Sequence, residues 1–251
     1  MTANRLSDVN PDLLRDLVDA NHILFNEGVV DAFGHVSARH DKRPGQFLLA
    51  RNMPPAMVTA EDIVEYDLNG APLGGDARRP YLERFIHGEI YRARPDVMAI
   101  VHSHSPHAVS FSTVRQRRFR PVCHMCGFLG GGIGVFDLRD IAGDGTDLLI
   151  RDARLGKALA ESMGASSAIL MRGHGSTVVA PTLRRAVYRA IYTEMNARIL
   201  ATALSLGEVE YLSAKEADAA LAIEEQVERP WQLWKAAAAS DKVSGRFTAG
   251  A

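Results

Sequence analysis

Apolar residues recur at helical spacing from Leu13, Leu14, Leu17 and Val18 to Ile23 and Leu24, immediately after Asn10-Pro11 and before Glu27-Gly28. An asparagine side chain can accept a free amide at a helix start, and proline suits the first turn because its missing N–H would have no partner there, so this stretch predicts a helix. Short apolar or β-branched runs at residues 32–38, 47–50 and 63–67 predict strands, the last ending at the turn signal Leu68-Asn69-Gly70. Residues 79–92 predict a helix with Glu83 and His87 on one face, since side chains four apart are neighbours. The apolar run from Ala99 into His104 predicts a buried strand, and Ser105-Pro106 a new helix start. Gly127 to Gly134 reads as an irregular glycine-rich loop; it lacks the strand-to-helix context of a dinucleotide-binding turn. Ala168-Ile169-Leu170 is a further apolar stretch, and helices are expected at 152–163, 181–206 and 213–238, the second with an apolar stripe of Val187, Ile191, Met195 and Ile199. Residues 239–251 read as a loose tail.

Strands interleaved with helices predict a central sheet covered on both sides, because each apolar face must be buried. No repeat or linker interrupts the pattern, so residues 1–251 are expected to form a single catalytic domain. A chain that is 47% hydrophobic and 24% charged has the usage of an ordinary globular protein and can bury a full core. A net charge of −1 offers no general attraction for nucleic acid, and the one basic run, Arg115 to Arg120, reads as a solvated loop or subunit contact. Met1 to Asp8 lacks the apolar segment of a secretion signal, and no uninterrupted apolar stretch is long enough to span a membrane. The expectation is a soluble cytoplasmic protein without nucleic-acid or membrane partners. Cys123 and Cys126, without a second pair, are expected to be reduced, packed thiols.

The candidate chemistry lies at His102-Ser103-His104. Residues two apart on a strand point to one face, so both imidazoles can reach one ion. His174, between Gly173 and Gly175 after the apolar run 168–170, offers a third nitrogen where glycines let the backbone turn closely. Three neutral nitrogens leave positions open for substrate, as catalytic metal sites require. A His-x-His pair alone is a weak signal, and its surroundings carry the case.

Those surroundings resemble the class II aldolase/adducin family. The resemblance runs through Tyr81-Leu82-Glu83-Arg84-Phe85-Ile86-His87, Arg94-Pro95-Asp96 and Ala99 to Pro106, with Gly34-His35-Val36-Ser37 similar to the family's Gly-Asn-x-Ser turn and Arg172-Gly173-His174-Gly175 similar to its third histidine segment. It covers about residues 11 to 205. It implies a three-layer α/β/α sandwich with a mainly antiparallel sheet, one divalent metal (manganese, zinc, iron or cobalt) on His102, His104 and His174, Glu83 as catalytic residue, and a homotetramer or larger oligomer with active sites at subunit interfaces.

Departures from the sugar-phosphate aldolases of this family bear on the substrate. His35 stands in place of the turn's asparagine, Arg51-Asn52-Met53 in the region of a Ser/Thr-Gly turn, and Tyr81-Leu82 in place of a Ser-Ser pair before Glu83. Hydroxyl donors for a phosphate are therefore largely missing, whereas Arg51, Arg79, Arg84 and Arg172 can pair with carboxylates. The aldolases' tyrosine from a neighbouring subunit has His124 in its region. This pattern resembles the family's decarboxylases of hydroxylated aromatic and pyridine dicarboxylates. The expectation is a non-oxidative decarboxylase acting through an enolate or phenolate that a Lewis acid stabilises. Glu83 would carry the proton, His35 and His124 would be further acid/base candidates, and Arg51, Asn52, Tyr81 and Arg172 would contact a carboxylate substrate. The alternatives are an aldolase for a hydroxy-keto acid or sugar phosphate, an iron-dependent oxygenase, and a non-enzymatic adducin-like module, which would have lost its ligands.

Overall fold

The computed structural model describes residues 6, 8–114 and 119–240; most of the expected tail and Arg115 to Arg118 of the basic run lie outside the described residues. Helix α1 (Pro11–Asn26) begins as predicted, with the Asn10 side chain accepting the Asp12 amide and Leu17, Ala20, Ile23 and Leu24 buried. Strand β1 (His35–Arg39) starts later than the apolar pattern suggested, because Asp31 accepts the Phe33 amide and holds a turn there. Strands β2 (Gln46–Ala50) and β3 (Ile63–Asp67) follow. Helix α2 (Arg84–Ala93) is shorter than expected: Pro80 disfavours helical geometry at Arg79, and the Arg79 carbonyl instead accepts the Asn52 amide. Glu83 is consequently the residue that precedes the helix, and its side chain does not cap it.

Strand β4 (Ala99–Ser103) leads into α3 (Pro106–Ser112). Ser105 does not cap α3. Glu194, from a later helix, accepts the His107 and Ala108 amides at 3.1 and 3.0 Å and satisfies the free donors of that helix end. A 3-10 turn (His124–Leu129) takes up the start of the glycine-rich stretch and precedes β5 (Val135–Phe136). Then come α4 (Arg139–Ala142), α5 (Ala153–Met163), β6 (Ala168–Met171), β7 (Gly175–Ala180) and α6 (Leu183–Leu206). The expected helix at 213–238 is two helices, α7 (Ala214–Ala220) and α8 (Glu228–Ser240), joined by a 3-10 segment.

The stripe expected along α6 holds only at its start. Val187 and Ile191 are buried, but Ile199 is 37% exposed. Steps of four residues overshoot one turn by about 40° each, so Ile199 has rotated by about 120° from Val187. The buried face passes instead to Thr193, Asn196, Ala197 and Leu200, and the Asn196 side chain is kept satisfied by the Val122 amide and the Arg120 carbonyl, both at 2.9 Å.

The seven strands form one sheet in the order β3-β2-β1-β4-β7-β6-β5, antiparallel throughout except for the parallel β5/β6 edge. Along β1, Val36 and Ala38 alternate with His35, Ser37 and Arg39, so the two sets face opposite layers. Helix α2 packs on α5, and its His87 and Tyr91 side chains bond the Ser37 hydroxyl. Helices α1, α3, α6 and α8 pack together on the other side, completing the three-layer α/β/α arrangement. No helix among the described residues is long and apolar enough to cross a membrane.

At the β4–β7 pairing, Ser103 opposes Ser176, and a Cβ added at Gly175 would fall far inside van der Waals contact with the Ser103 carbonyl oxygen. The contact is backbone on one side, so the strands themselves would have to part. Gly175→Ala is therefore expected to destabilise the fold by about 1–3 kcal/mol, the range for overpacking. Denaturant unfolding with an unchanged midpoint would show that the strands separate freely here.

Candidate metal centre

Three central strands and one helix start converge on one point. His102 is the penultimate residue of β4 and His35, its cross-strand partner on β1, shares its face of the sheet. His104 lies just beyond β4. His174 sits in the turn between β6 and β7, where Gly173 takes a φ of 64° and the His174 amide donates to the Met171 carbonyl at 3.0 Å. Glu83 enters from the residue before α2.

The ligand atoms offered by Glu83, His102, His104 and His174 all lie within 4.8 Å of one another. His104 Nε2 is 3.1 Å from His102 Nε2 and 3.0 Å from His174 Nε2. A single ring nitrogen has one proton or one lone pair and cannot serve both neighbours, so hydrogen bonding does not account for the trio. A shared cation does: it takes a lone pair from each ring, and ligand nitrogens about 2.1 Å from one ion lie roughly 3.0–3.4 Å from one another. Burial lowers the His102 pKa well below its ordinary value, with His174 and His104 adding to the effect, and burial lowers that of His104 as well. These two rings are thereby kept neutral, the state in which imidazole binds metals. The donor set thus fits a divalent ion.

Glu83 is buried and its two oxygens are differentiated. Oε1 accepts the Ile150 amide at 2.9 Å, while Oε2 lies 3.4 Å from His174 Nε2 and 3.6 Å from His102 Nε2. One oxygen is therefore anchored by the segment leading into α5, and the other faces the imidazoles.

His35 adjoins this group, its ring centroid 5.0 Å from that of His102 and 4.8 Å from that of Tyr81. Its Nδ1 is 2.6 Å from His87 Nε2, His87 Nδ1 is 2.6 Å from Ser37 Oγ, and Ser37 Oγ is 2.8 Å from the Tyr91 hydroxyl. Burial lowers the His35 pKa well below its usual value, with His87 contributing, and lowers that of His87 to about 3. The sequence reading placed His87 beside Glu83 but missed this chain. Its signals were the alternation of His35 with Ser37 on a strand and the four-residue spacing of His87 and Tyr91 on a helix.

The other expected site residues are placed variously. The Tyr81 hydroxyl donates to the Met53 carbonyl, and burial pushes its pKa up to about 12. Arg51 donates from Nε to Asp62 at 2.7 Å, and Arg172 Nε lies 2.9 Å from Asp137. Both guanidiniums keep their Nη groups without a hydrogen bond to any described residue. Asn52 uses its backbone amide on Arg79. His124 is exposed on the 3-10 turn, where it lines a cleft with Met125, Tyr188, Tyr192 and Leu233 and does not belong to the four-residue cluster. The neighbouring Cys123 and Cys126 are free thiols with sulfurs 3.1 Å apart.

Comparison with known proteins agrees with this geometry. The chain is 38% identical over 205 residues to the decarboxylase tropJ of Talaromyces stipitatus, covering 77% of each protein. It is 32% identical over 202 residues to a 3,4-dihydroxyphthalate decarboxylase of Terrabacter sp., covering 74% of this chain and 79% of the relative. In fold it is similar to an aldolase II superfamily protein from Pseudomonas syringae, with a TM-score of 0.78 at 21% identity over 96% of this chain and 98% of the other. Residues 15–201 match the family described as Class II Aldolase and Adducin N-terminal domain, and to that family, alongside its decarboxylases, the chain belongs.

Proposed function

We propose that this protein is a metal-dependent, non-oxidative decarboxylase of a hydroxylated aromatic or pyridine carboxylate. The observation that carries the reading is the similarity to two decarboxylases across about three quarters of the chain, together with a Glu83 oxygen turned toward three converging imidazoles. His102, His104 and His174 would hold one divalent ion. Bound there, the ion supplies Lewis acidity that stabilises negative charge on substrate oxygens.

The chain's own groups account for the rest of the reaction. The Ile150 amide fixes Oε1 of Glu83, so Oε2 is the oxygen available to hold and deliver a proton. When the bond from ring carbon to carboxylate breaks, its electron pair stays on the ring carbon and Glu83 gives that carbon its proton; carbon dioxide leaves. The unpaired Nη groups of Arg51 and Arg172 present donors suited to the substrate's carboxylates, while Asp62 and Asp137 orient the guanidiniums from the Nε side. Tyr81, locked through its hydroxyl, contributes an apolar ring wall beside His35. His124, exposed on its turn, would act in a neighbouring subunit of a homo-oligomer.

The purified protein loaded with manganese, zinc, iron or cobalt is expected to release carbon dioxide from ortho-hydroxylated aromatic dicarboxylates, 3,4-dihydroxyphthalate being the first to try. Phosphorylated sugars are expected to compete poorly, because phosphate-binding hydroxyls are absent before Glu83, where Tyr81 and Leu82 stand. Cleavage of a sugar phosphate or a hydroxy-keto acid with no carbon dioxide from any hydroxylated aromatic acid would overturn the proposal in favour of an aldolase.

A further inference from the structure

The buried chain from Tyr91 through Ser37 and His87 to His35 has a direction that can be worked out by counting hydrogens. All four residues are almost wholly buried, His35 being the most exposed at 4%. No carboxylate takes part in the chain, and the Arg39 guanidinium stacked over the Tyr91 ring, 4.6 Å from its centroid, is a donor that cannot accept a proton. The only hydrogen-bond partner of the Tyr91 hydroxyl among the described residues is Ser37 Oγ.

Two arrangements of protons are conceivable with neutral rings. In one, Tyr91 donates to Ser37, Ser37 donates to His87 Nδ1, and His87 Nε2–H donates to His35 Nδ1. In the other every bond is reversed: His35 Nδ1–H donates to His87, His87 to Ser37, and Ser37 to the Tyr91 oxygen. The reversed arrangement seals the phenolic hydrogen in the core with no acceptor, the costly case for a buried donor, whereas in the first the one donor left over is the His35 Nε2–H, at the end of the chain that is not sealed from the site. Burial keeps His87 from carrying both protons. The first arrangement is the stable one.

We infer that Tyr91, Ser37 and His87 are positioning residues that fix His35 in the tautomer whose Nε2 carries the hydrogen, so that His35 presents a hydrogen-bond donor to an anionic oxygen of the substrate. His35 Nε2 has no hydrogen bond to any described residue, and the His35 ring lies between Tyr81 and His102 at the edge of the four-ligand group. The ligand class is a carboxylate or phenolate oxygen; a substrate group that can only donate would meet a second donor and be refused. The functional half of this inference rests on the decarboxylase reading, whereas the tautomer itself does not.

Long-range proton–nitrogen correlation spectra of the nitrogen-15-labelled protein distinguish the two imidazole tautomers directly in the resting protein, and His35→Gln identifies the His35 signals by their loss. The expected result is protonated Nε2 and bare Nδ1 on both His35 and His87. Observing His35 protonated at Nδ1, or doubly protonated near neutral pH, would overturn the inference whatever the protein catalyses. Ser37→Ala removes the donor that sets the direction, so it is expected to raise the Nδ1-protonated fraction of His35 and to weaken binding of phthalate, used as a carboxylate probe, by about three- to tenfold, the range for one lost hydrogen bond. An unchanged His35 spectrum in that variant would also overturn it. Absence of carbon dioxide release with the expected spectra would instead fault the proposed reaction and leave the tautomer standing.

Discussion

Glu83→Gln is expected to lower turnover by at least about a hundredfold, the lower end for a positioned acid/base group, while the protein keeps its fold and its metal. The amide retains an oxygen for the Ile150 N–H, so the anchoring contact survives. What it loses is the carboxylate oxygen opposite His102 and His174 that would carry the proton. Because the substitution conserves shape and hydrogen bonding to the backbone, a fall in kcat at constant metal content isolates proton transfer from site assembly. Turnover near that of the unaltered protein would reduce Glu83 to a packing residue.

His174→Ala and His102→Ala are expected to reduce bound metal from one ion per subunit to near none. An open site has no surplus ligands, and removing one of three imidazoles forfeits most of its affinity. The two variants differ in a useful way. His102 is wholly buried in β4, so its truncation also leaves a cavity and should cost stability, whereas His174 occupies a turn and is nearer the surface. Metal analysis beside thermal unfolding separates the effects: both variants should lose the ion, and only His102→Ala should also lose a large part of its stability. Full metal occupancy in both would dismiss the centre.

Much of this centre was legible in the sequence because strand periodicity fixes the side-chain direction. His102 and His104 share a face by spacing alone, and the β-branched residues before them make the strand plain. The start of α1 was equally readable, since Asn10-Pro11 is a purely local signal. What escaped depended on partners distant along the chain. The late start of α2 follows from Pro80 and from the pairing of Arg79 with Asn52, and it places Glu83 before the helix rather than within it. Capping of α3 by Glu194 and anchoring of Glu83 by the Ile150 amide likewise join segments that sequence order keeps far apart. The expected stripe on α6 failed for a different reason: a four-residue repeat is not the period of a helix, and by the third step from Val187 the discrepancy turns Ile199 to solvent.

The adjacency of β1, β4 and β7 in the middle of the sheet bears on how this protein reaches its native state. The strands are neighbours in space but far apart in sequence, and each antiparallel pairing closes a long loop before it gains any ladder. Such topologies fold slowly, because entropy is lost ahead of the contacts that compensate for it. His102 and His174 come together only when β7 has docked on β4, so until then the nascent chain offers an ion at most the local pair His102 and His104 and not the full set of ligands. A metal held here would lock the finished fold and would not template its assembly.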